Sequence, residues 1–343
     1  MHQKFYLSLL IISTLTTPIF ATSLDTLQSN TINFTTPQLE TSVQKTLDNT
    51  ANYILETTPT PQFGVIGGEW AILGLARSNV KIPDNYFENY YNHIEKIASQ
   101  NHTDHSRGWS LKVTETQRLA LTIAAIGKDP TNVNGVDLVD YSYNKANNMP
   151  YLPNTILGER QGLNELIFGL MTMQLADSYT NSQDNPDSVI NTILTDYKTI
   201  DGGFNLSKEN LLGDIDITAM TIQALAPYYN QTGYENVTSS IDNAVKFLYQ
   251  KLNLTPVDEL HSENLAQTIV ALCSIGINPN EMSSFNIHNS TLINLLLNFS
   301  LSNGAFEHVK GEGANQMATE QSFYSLVAYE RFIQNKTPLY KID

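Results

Sequence analysis

The sequence predicts an all-α protein built from six helix pairs that close into an α6/α6 toroid. Six segments of the 343-residue chain are apolar on nearly all sides and carry a small–large residue pair at the same register. Six amphipathic segments with one polar face alternate with them. Because a helix that is apolar all round must be buried on all sides, the apolar helices are expected inside and the amphipathic helices outside.

The small–large pairs recur at intervals of 44 to 55 residues. Self-similarity at such a period is typical of architectures in which each repeat buries its apolar face against the next one. A small residue at a fixed register also lets neighbouring helix backbones approach closely. The pairs are Gly74-Leu75, Ala125-Ile126, Gly169-Leu170, Ala224-Leu225, Ala271-Leu272 and Ser325-Leu326.

The amphipathic segments are expected to form an outer ring. The first outer helix is expected over residues 37–57, with Thr36 as its N-cap and Pro37 as its first helical residue. Twelve helices that alternate between exposed and buried are best closed as two concentric rings. The alternative, a linear solenoid, usually shows shorter, more regular periods and polar caps at both ends. The remaining outer helices are expected over Pro83–Ser99, Val136–Ala146, Pro186–Tyr197, Tyr234–Lys251 and Ile287–Ser300.

The N-terminus has the pattern of a secretory signal peptide. Lys4 supplies a positive start, Phe5–Ile12 a mostly apolar core, and the small residues near Ala21 a cleavage site. An uncleaved anchor fits less well, because polar residues interrupt a stretch already shorter than the roughly 20 apolar residues that span a bilayer. We therefore expect a signal peptide over 1–23, an N-terminal linker over 24–36 and one toroid domain over 37–343. The expected location is extracellular or at the cell surface, with no transmembrane segment.

The charge balance excludes one class of partner. Removing the signal peptide takes Lys4 from the 19 basic side chains and leaves 18 against 34 acidic ones. Nucleic acids are bound by clustered Lys and Arg, so no nucleic-acid partner is expected. The single cysteine, Cys273, lies among apolar residues and is expected to be a buried thiol without a disulfide partner.

Turn motifs before the inner helices indicate a known superfamily. The fourth inner helix is preceded by Asp201-Gly202-Gly203-Phe204 and starts at Asp214-Ile215-Asp216-Ile217-Thr218-Ala219. In these residues the chain resembles the terpenoid cyclase (squalene cyclase-like) and protein prenyltransferase superfamily of α/α toroids. The resemblance covers nearly the whole mature chain, and implies a ligand site in the central cavity, towards the N-termini of the inner helices. Similar strings are Gly67-Gly68-Glu69-Trp70, Gly108-Trp109 and Asn303-Gly304-Ala305-Phe306.

Aligning the repeats on their small–large pairs places polar side chains at or just before the inner-helix N-termini. Acidic side chains are favoured there by free backbone N–H groups and by the helix dipole, so each can be a cap and nothing more. As a ring around one rim, they also predict a polar mouth above an apolar cavity. Trp70 and Trp109 are expected among the walls of that cavity. The rim residues are Glu115, Gln117, Gln161, Asp214, Asp216, His261, Glu263 and Asn315.

The resemblance also suggests an enzyme as the alternative hypothesis. Class II cyclases of the superfamily use an Asp-x-Asp-Asp string to protonate an alkene. The matching string here is Asp214-Ile215-Asp216-Ile217, in which Asp216 corresponds to the general acid and Asp214 to the first Asp. Ile217 replaces the last acid, which removes a partner that helps tune the proton donor. Such cyclases also usually contain two barrels.

The main hypothesis is a binding module without a cofactor. Exported single toroids similar to this chain include cobalamin carriers and bacterial cell-surface repeat modules. The expected ligand is a bulky or apolar small molecule, isoprenoid-like or cobamide-like, or else a surface protein. No metal site is expected, because His261, Glu263 and His308 are better explained as rim and loop residues.

Overall fold

A computed structural model describes residues 36–103, 113–143, 157–175, 185–281 and 285–342. The expected signal peptide, all of the expected linker except Thr36, and Trp109 lie outside these ranges. Helices dominate the described residues, so the prediction of an all-α protein is confirmed. None of the helices in these ranges combines the length and the apolar character needed to cross a membrane.

Twelve α-helices lie in the described ranges, together with one short antiparallel pair of strands, β1 (Phe306–Glu307) and β2 (Ala314–Asn315). Single 3-10 turns occupy Ala226–Tyr228 and Val257–Glu259. The helices are α1 (Thr36–Thr57), α2 (Glu69–Arg77), α3 (Tyr86–Thr103), α4 (Val113–Ala125), α5 (Leu138–Tyr143), α6 (Leu163–Met173), α7 (Pro186–Asp196), α8 (Ile215–Leu225), α9 (Glu235–Leu254), α10 (Ser262–Ser274), α11 (Leu292–Leu297) and α12 (Gln316–Ile333).

The inner helices are α2, α4, α6, α8, α10 and α12. Each contacts the next one along the chain, and α12 contacts α2. Five of the six small–large pairs are buried, whereas Ala125-Ile126 is half-buried because it lies at the C-terminal end of α4. Gly74 shows why a small residue is needed, since a Cβ there would lie 3.0 Å from Cδ1 of Phe323 on α12.

The outer helices pack on the inner ones. α1 contacts α12, α5 contacts α4 and α6, α7 contacts α6, α9 contacts α8, and α11 contacts α10. Four outer helices begin later than predicted: α3 by three residues, α5 by two, α9 by one and α11 by five. Tight turns precede α5 and α11, with left-handed backbone at Asn134 and Gly135 and again at His288 and Asn289. His288 and Asn289 follow Ile287, and an α-helix cannot run through their conformation. Val136 instead pairs with Val133 across its turn, so both predicted starts are turn residues.

The segment 337–342 lies against the C-terminal ends of the inner helices. Arg77, the last residue of α2, donates hydrogen bonds to the main-chain oxygens of Pro338, Leu339 and Lys341. Arg331 near the end of α12 donates to the main-chain oxygen of Thr337 at 2.8 Å. These bonds hold the segment so that the side chain of Tyr340 is buried between the inner helices.

Candidate functional site

A cavity of about 310 Å³ lies among the inner helices, and all six of them contribute side chains to its lining. We call it the central cavity. The loop 64–66, just before α2, lies at its edge, and Val65 and Ile66 in that loop are exposed. The apolar and aromatic side chains of the lining are Trp70, Phe168, Met220, Met317, Tyr324 and Tyr340.

Trp70 is the centre of the aromatic wall. Its ring centroid lies 5.4 Å from that of Phe168, 6.0 Å from Tyr324 and 6.1 Å from Tyr340. These separations lie in the range in which tilted and edge-on aromatic pairs attract each other. Tyr340 and Gln223 also line a second cavity of about 590 Å³. These two side chains therefore lie between the central cavity and the C-terminal ends of the helices.

A chain of amide hydrogen bonds crosses three inner helices. Nε2 of Gln223 on α8 donates to both the main-chain oxygen and Oε1 of Gln267 on α10, at 3.0 Å each. Nε2 of Gln267 donates to Oε1 of Gln321 at 2.8 Å and to the hydroxyl of Tyr324 at 2.5 Å. The amides in this part of the wall are thus held in fixed orientations.

Two buried carboxyl groups face the same cavity. Oε1 of Glu69 accepts hydrogen bonds from the main-chain nitrogen of Gly64 at 3.0 Å and from the hydroxyl of Tyr90 at 3.4 Å. Oε1 of Glu320 accepts from the main-chain nitrogen of Gly67. Burial raises the pKa of both carboxyls, to about 7 for Glu320, and the nearby charge of Glu69 adds to the rise for Glu320.

Arg118 on α4 brings a positive charge to the cavity. Its Cζ lies 5.7 Å from the ring centroid of Trp70, within the range of a cation–π contact. Its Nε is buried and makes no hydrogen bond to any of the described residues, and the same holds for Oδ1 of Asn164. An unsatisfied buried polar group costs about 1–3 kcal/mol. A donor and an acceptor in this wall are therefore available to a ligand or to water.

Of the predicted binding residues, Trp70 lines the central cavity, while several others serve the packing of α4 and α6. Gln117 is buried and donates to the main-chain oxygen of Glu165 at 3.0 Å. Gln161 accepts from the hydroxyl of Thr114 at 3.1 Å and lines a separate groove of about 620 Å³ next to α7. Glu115 is half-buried beside the loop before α2.

Three of the predicted residues occupy helix N-caps. Asp214 caps α8 by accepting from the main-chain nitrogen of Ile217 at 2.9 Å. Asn315 caps α12 by accepting from the main-chain nitrogen of Ala318 at 3.0 Å. His261 lies at the N-cap position of α10 without a capping bond. Asp214 and Asn315 are therefore helix N-caps, as one of the two interpretations of the rim residues predicts.

Asp216, Glu263 and two histidines form a separate cluster at the start of α8 and α10. Oδ1 of Asp216 accepts from Nδ2 of Asn264 at 2.7 Å. Oε2 of buried Glu263 lies 2.8 Å from Nδ1 of His308, whose ring centroid is 4.2 Å from that of His261. No group of three or more His, Cys, Asp or Glu side chains in the described ranges is arranged to hold a metal ion.

The pKa of Asp216 is raised to about 6, mainly by burial, with the hydrogen bond from Asn264 opposing the rise and the charges of Asp214 and Glu263 adding to it. A raised pKa makes a carboxyl group a weaker proton donor, whereas protonation of an alkene needs an unusually strong acid. Asp216 also does not line the central cavity. Both observations weigh against the general-acid role of the cyclase hypothesis.

Glu69, Arg118 and Glu320 are not among the residues that the sequence predicts for the site. One signal could have found them. Each is a charged residue on a helix that is otherwise mostly apolar, and charged side chains are almost never fully buried unless they are paired. Relative to the small residue of each small–large pair, the predicted rim residues lie eight or ten positions earlier, whereas Arg118 lies seven positions earlier and Glu69 and Glu320 lie five positions earlier.

Comparison with models of known protein families finds no family that matches the chain, and comparison with curated proteins finds no match. The superfamily resemblance therefore stays a hypothesis that rests on the repeats and their turn motifs.

Proposed function

We propose that the protein is an exported α6/α6 toroid, similar to the terpenoid cyclase and protein prenyltransferase superfamily, that binds a small molecule in its central cavity. The contacts among the inner helices support the toroid, because they run in cyclic order from α2 to α12 and back to α2. Five outer helices, α1, α5, α7, α9 and α11, each contact at least one helix of this ring. The export and the extracellular location rest on the sequence pattern of residues 1–23.

The composition of the cavity wall carries the proposal of ligand binding. Small-molecule sites are mostly apolar and aromatic, with a few polar groups in fixed positions. The central cavity combines the aromatic wall around Trp70 with the fixed amides of Gln223 and Gln267 and with three ionisable side chains. Its volume of about 310 Å³ lies at the lower end of the roughly 300–1,000 Å³ typical of such sites. This favours a compact ligand over one as large as a cobamide.

Binding is favoured over cyclase catalysis because the proposed acid is in the wrong place and has the wrong acidity. Asp216 lies in the cluster at the start of α8 and α10, and its pKa is raised. The charged groups of the cavity itself are Glu69, Arg118 and Glu320, and both carboxyls have raised pKa values.

Thermal-shift and calorimetric measurements on the mature protein test the proposal, with farnesol, apolar amino acids and a cobamide as ligand classes. A ligand that binds only the folded state raises Tm. Met220→Trp is designed to fill the cavity and is expected to abolish the shift. Leu254→Trp, at an exposed apolar position on α9, is expected to preserve it. Binding that persists unchanged in Met220→Trp, or no binding by any class, would contradict the proposal.

A further inference from the structure

We propose that the ligand of the central cavity is a compact zwitterion: an amino acid, or a molecule of the same chemistry, with a carboxylate, an ammonium group and an apolar side chain. This inference rests on the proposed function and specifies the ligand class of that site. The inference depends on which hydrogen-bonding atoms of the charged side chains in the cavity are already bonded and which are not.

The carboxylate is assigned to Arg118. The guanidinium forms no ion pair or hydrogen bond with any of the described residues, and it lies over the ring of Trp70. Its charge opposes the rise in the pKa values of Glu69 and Glu320, but without a direct hydrogen bond to either. A guanidinium offers parallel N–H donors that match the two oxygens of a carboxylate. A ligand carboxylate therefore supplies the hydrogen-bond acceptors that Arg118 lacks, at a place where the Trp70 ring restricts the orientation of the guanidinium.

The ammonium group is assigned to Glu69 and Glu320. Hydrogen bonds from described residues engage only Oε1 of each carboxyl, and the other oxygen of each has none. When both carboxyls are ionised they exceed the one guanidinium by a negative charge, and burial raises both pKa values because it disfavours that charge. A positive ligand group reduces this cost. Oδ1 of Asn164 is a further acceptor without a partner.

The apolar side chain of the ligand is assigned to the aromatic wall. Phe168, Tyr324 and Tyr340 surround Trp70 at centroid distances of 5.4 to 6.1 Å from it. Met220 lies on the same lining. Specificity for charge therefore comes from the three ionisable side chains, and specificity for shape comes from the rings.

Ligands of other charge fit the cavity less well. A simple anion would pair with Arg118 but would meet two carboxyl groups in a chain whose formal net charge is −15. A simple cation would leave Arg118 without a partner. A neutral isoprenoid would displace water from all three ionisable groups and compensate none of them, which is costly. The zwitterion alone among these four classes matches both signs of charge.

Isothermal titration calorimetry on the mature protein tests the assignment, with leucine, phenylalanine and tryptophan as zwitterions. Their one-charge relatives are 3-phenylpropionate and 2-phenylethylamine. At least one amino acid is expected to bind, and each relative is expected to bind at least about tenfold more weakly. A relative that binds as tightly as phenylalanine, or no binding by any of the three amino acids, would overturn the inference.

Variants separate the two charged subsites. Arg118→Gln is expected to weaken amino-acid binding about tenfold or more, whereas Arg118→Lys, which keeps the charge but not the paired donors, gives an intermediate loss. Glu320→Gln is expected to weaken the amino acid and 2-phenylethylamine while leaving 3-phenylpropionate unchanged or tighter. Lys246→Gln, at an exposed cation on α9, is the matched control and binds like wild type. Equal amino-acid binding by wild type and a folded Arg118→Gln would also overturn the inference.

Binding of farnesol distinguishes failure of the zwitterion assignment from failure of the proposed function. If farnesol binds and Met220→Trp abolishes its binding, while no amino acid binds, the cavity is a ligand site but its assignment to zwitterions is wrong. If neither farnesol nor any amino acid binds, both proposals are wrong.

Discussion

Glu320 on the last helix accepts a hydrogen bond from the main-chain nitrogen of Gly67, 253 residues earlier in the chain. Glu69, the first residue of α2, accepts one from Gly64 in the same loop. The two carboxyls of the central cavity therefore also hold the loop that carries Val65 and Ile66 at its edge. Their protonation affects the fold and the cavity together, which makes Glu320 the most informative position to change.

Glu320→Gln is expected to flatten the pH dependence of stability between about pH 4.5 and 7. Burial raises the pKa of this carboxyl from its ordinary 4.5 to about 7 in the folded protein. In this window the folded state keeps the proton that the unfolded state loses, so the free energy of unfolding falls as pH rises. At about 1.4 kcal/mol per pH unit, wild type loses on the order of 3 kcal/mol relative to the variant. Urea unfolding across this window measures the difference.

The control for this experiment is Glu312→Gln, which removes an exposed acid between β1 and β2. It is expected to follow the wild-type curve. Parallel curves for wild type and Glu320→Gln would mean that this carboxyl ionises in the folded protein as it does in the unfolded chain, against the prediction.

Gly304→Ala is expected to destabilise the protein far more than Gly311→Ala. Both glycines have left-handed backbone, with φ of +90° and +92°, so an alanine costs about 1 kcal/mol at either position. At Gly304 a Cβ would also lie 2.4 Å from the main-chain oxygen of Asn49 on α1, whereas at Gly311 it would meet nothing within 4 Å. We expect a loss of about 3 kcal/mol or more for Gly304→Ala by chemical denaturation. Equal losses for the two variants would show that α1 shifts to make room.

Asp214→Ala is expected to lower the free energy of unfolding by about 1 kcal/mol, the usual contribution of an N-cap. Asp214→Asn retains an oxygen that can accept from the main-chain nitrogen of Ile217 and is expected to be close to wild type. Neither change is expected to alter ligand affinity measured by calorimetry. If Asp214→Asn is stable but binds ligand more weakly, Asp214 acts at the site as well as at the cap.

Tyr340→Ala is expected to cost about 3–5 kcal/mol, because it removes a buried ring between the two cavities. Tyr340→Phe keeps the ring and its contact with Trp70, and is expected to be close to wild type. Denaturant unfolding followed by tryptophan fluorescence measures both, since the emission of Trp70 reports directly on the neighbouring ring. A small loss for Tyr340→Ala would mean that the segment 337–342 contributes little to holding the inner helices together.

Periodicity predicted the helices well and the site poorly, for one physical reason. The pattern around Gly74-Leu75 or Ala271-Leu272 reports that a helix is buried, and all six inner helices contact their neighbours as expected. It does not report whether a buried face meets solid core or an open cavity. Asp214 is predicted as a site residue because it lies at a helix end. The structure shows that it caps that helix. Glu69 and Glu320 instead lie on helix faces that border the cavity. The cavity forms only when the helices have packed together, so the sequence of one helix does not reveal it.

The late start of α11 illustrates a second limit. Ile287 fits an apolar stripe that predicts a helix, but His288 and Asn289 adopt left-handed backbone. Asparagine and histidine are enriched in that conformation without requiring it, so the composition alone does not separate a turn there from a helical first turn.

The contact of α12 with α2 has a consequence for how the chain reaches its folded state. The face of α2 that packs on α12 has no partner until the last helix has been made, and the Gly67–Glu320 bond spans 253 residues. Closing so long a loop is paid for in chain entropy before the contact stabilises anything. Intermediate repeats can pack on their neighbours earlier, but the seam between first and last helix completes folding. We therefore expect slow, late joining of the two ends, which leaves α2 without its contact to α12 while the chain is being synthesised.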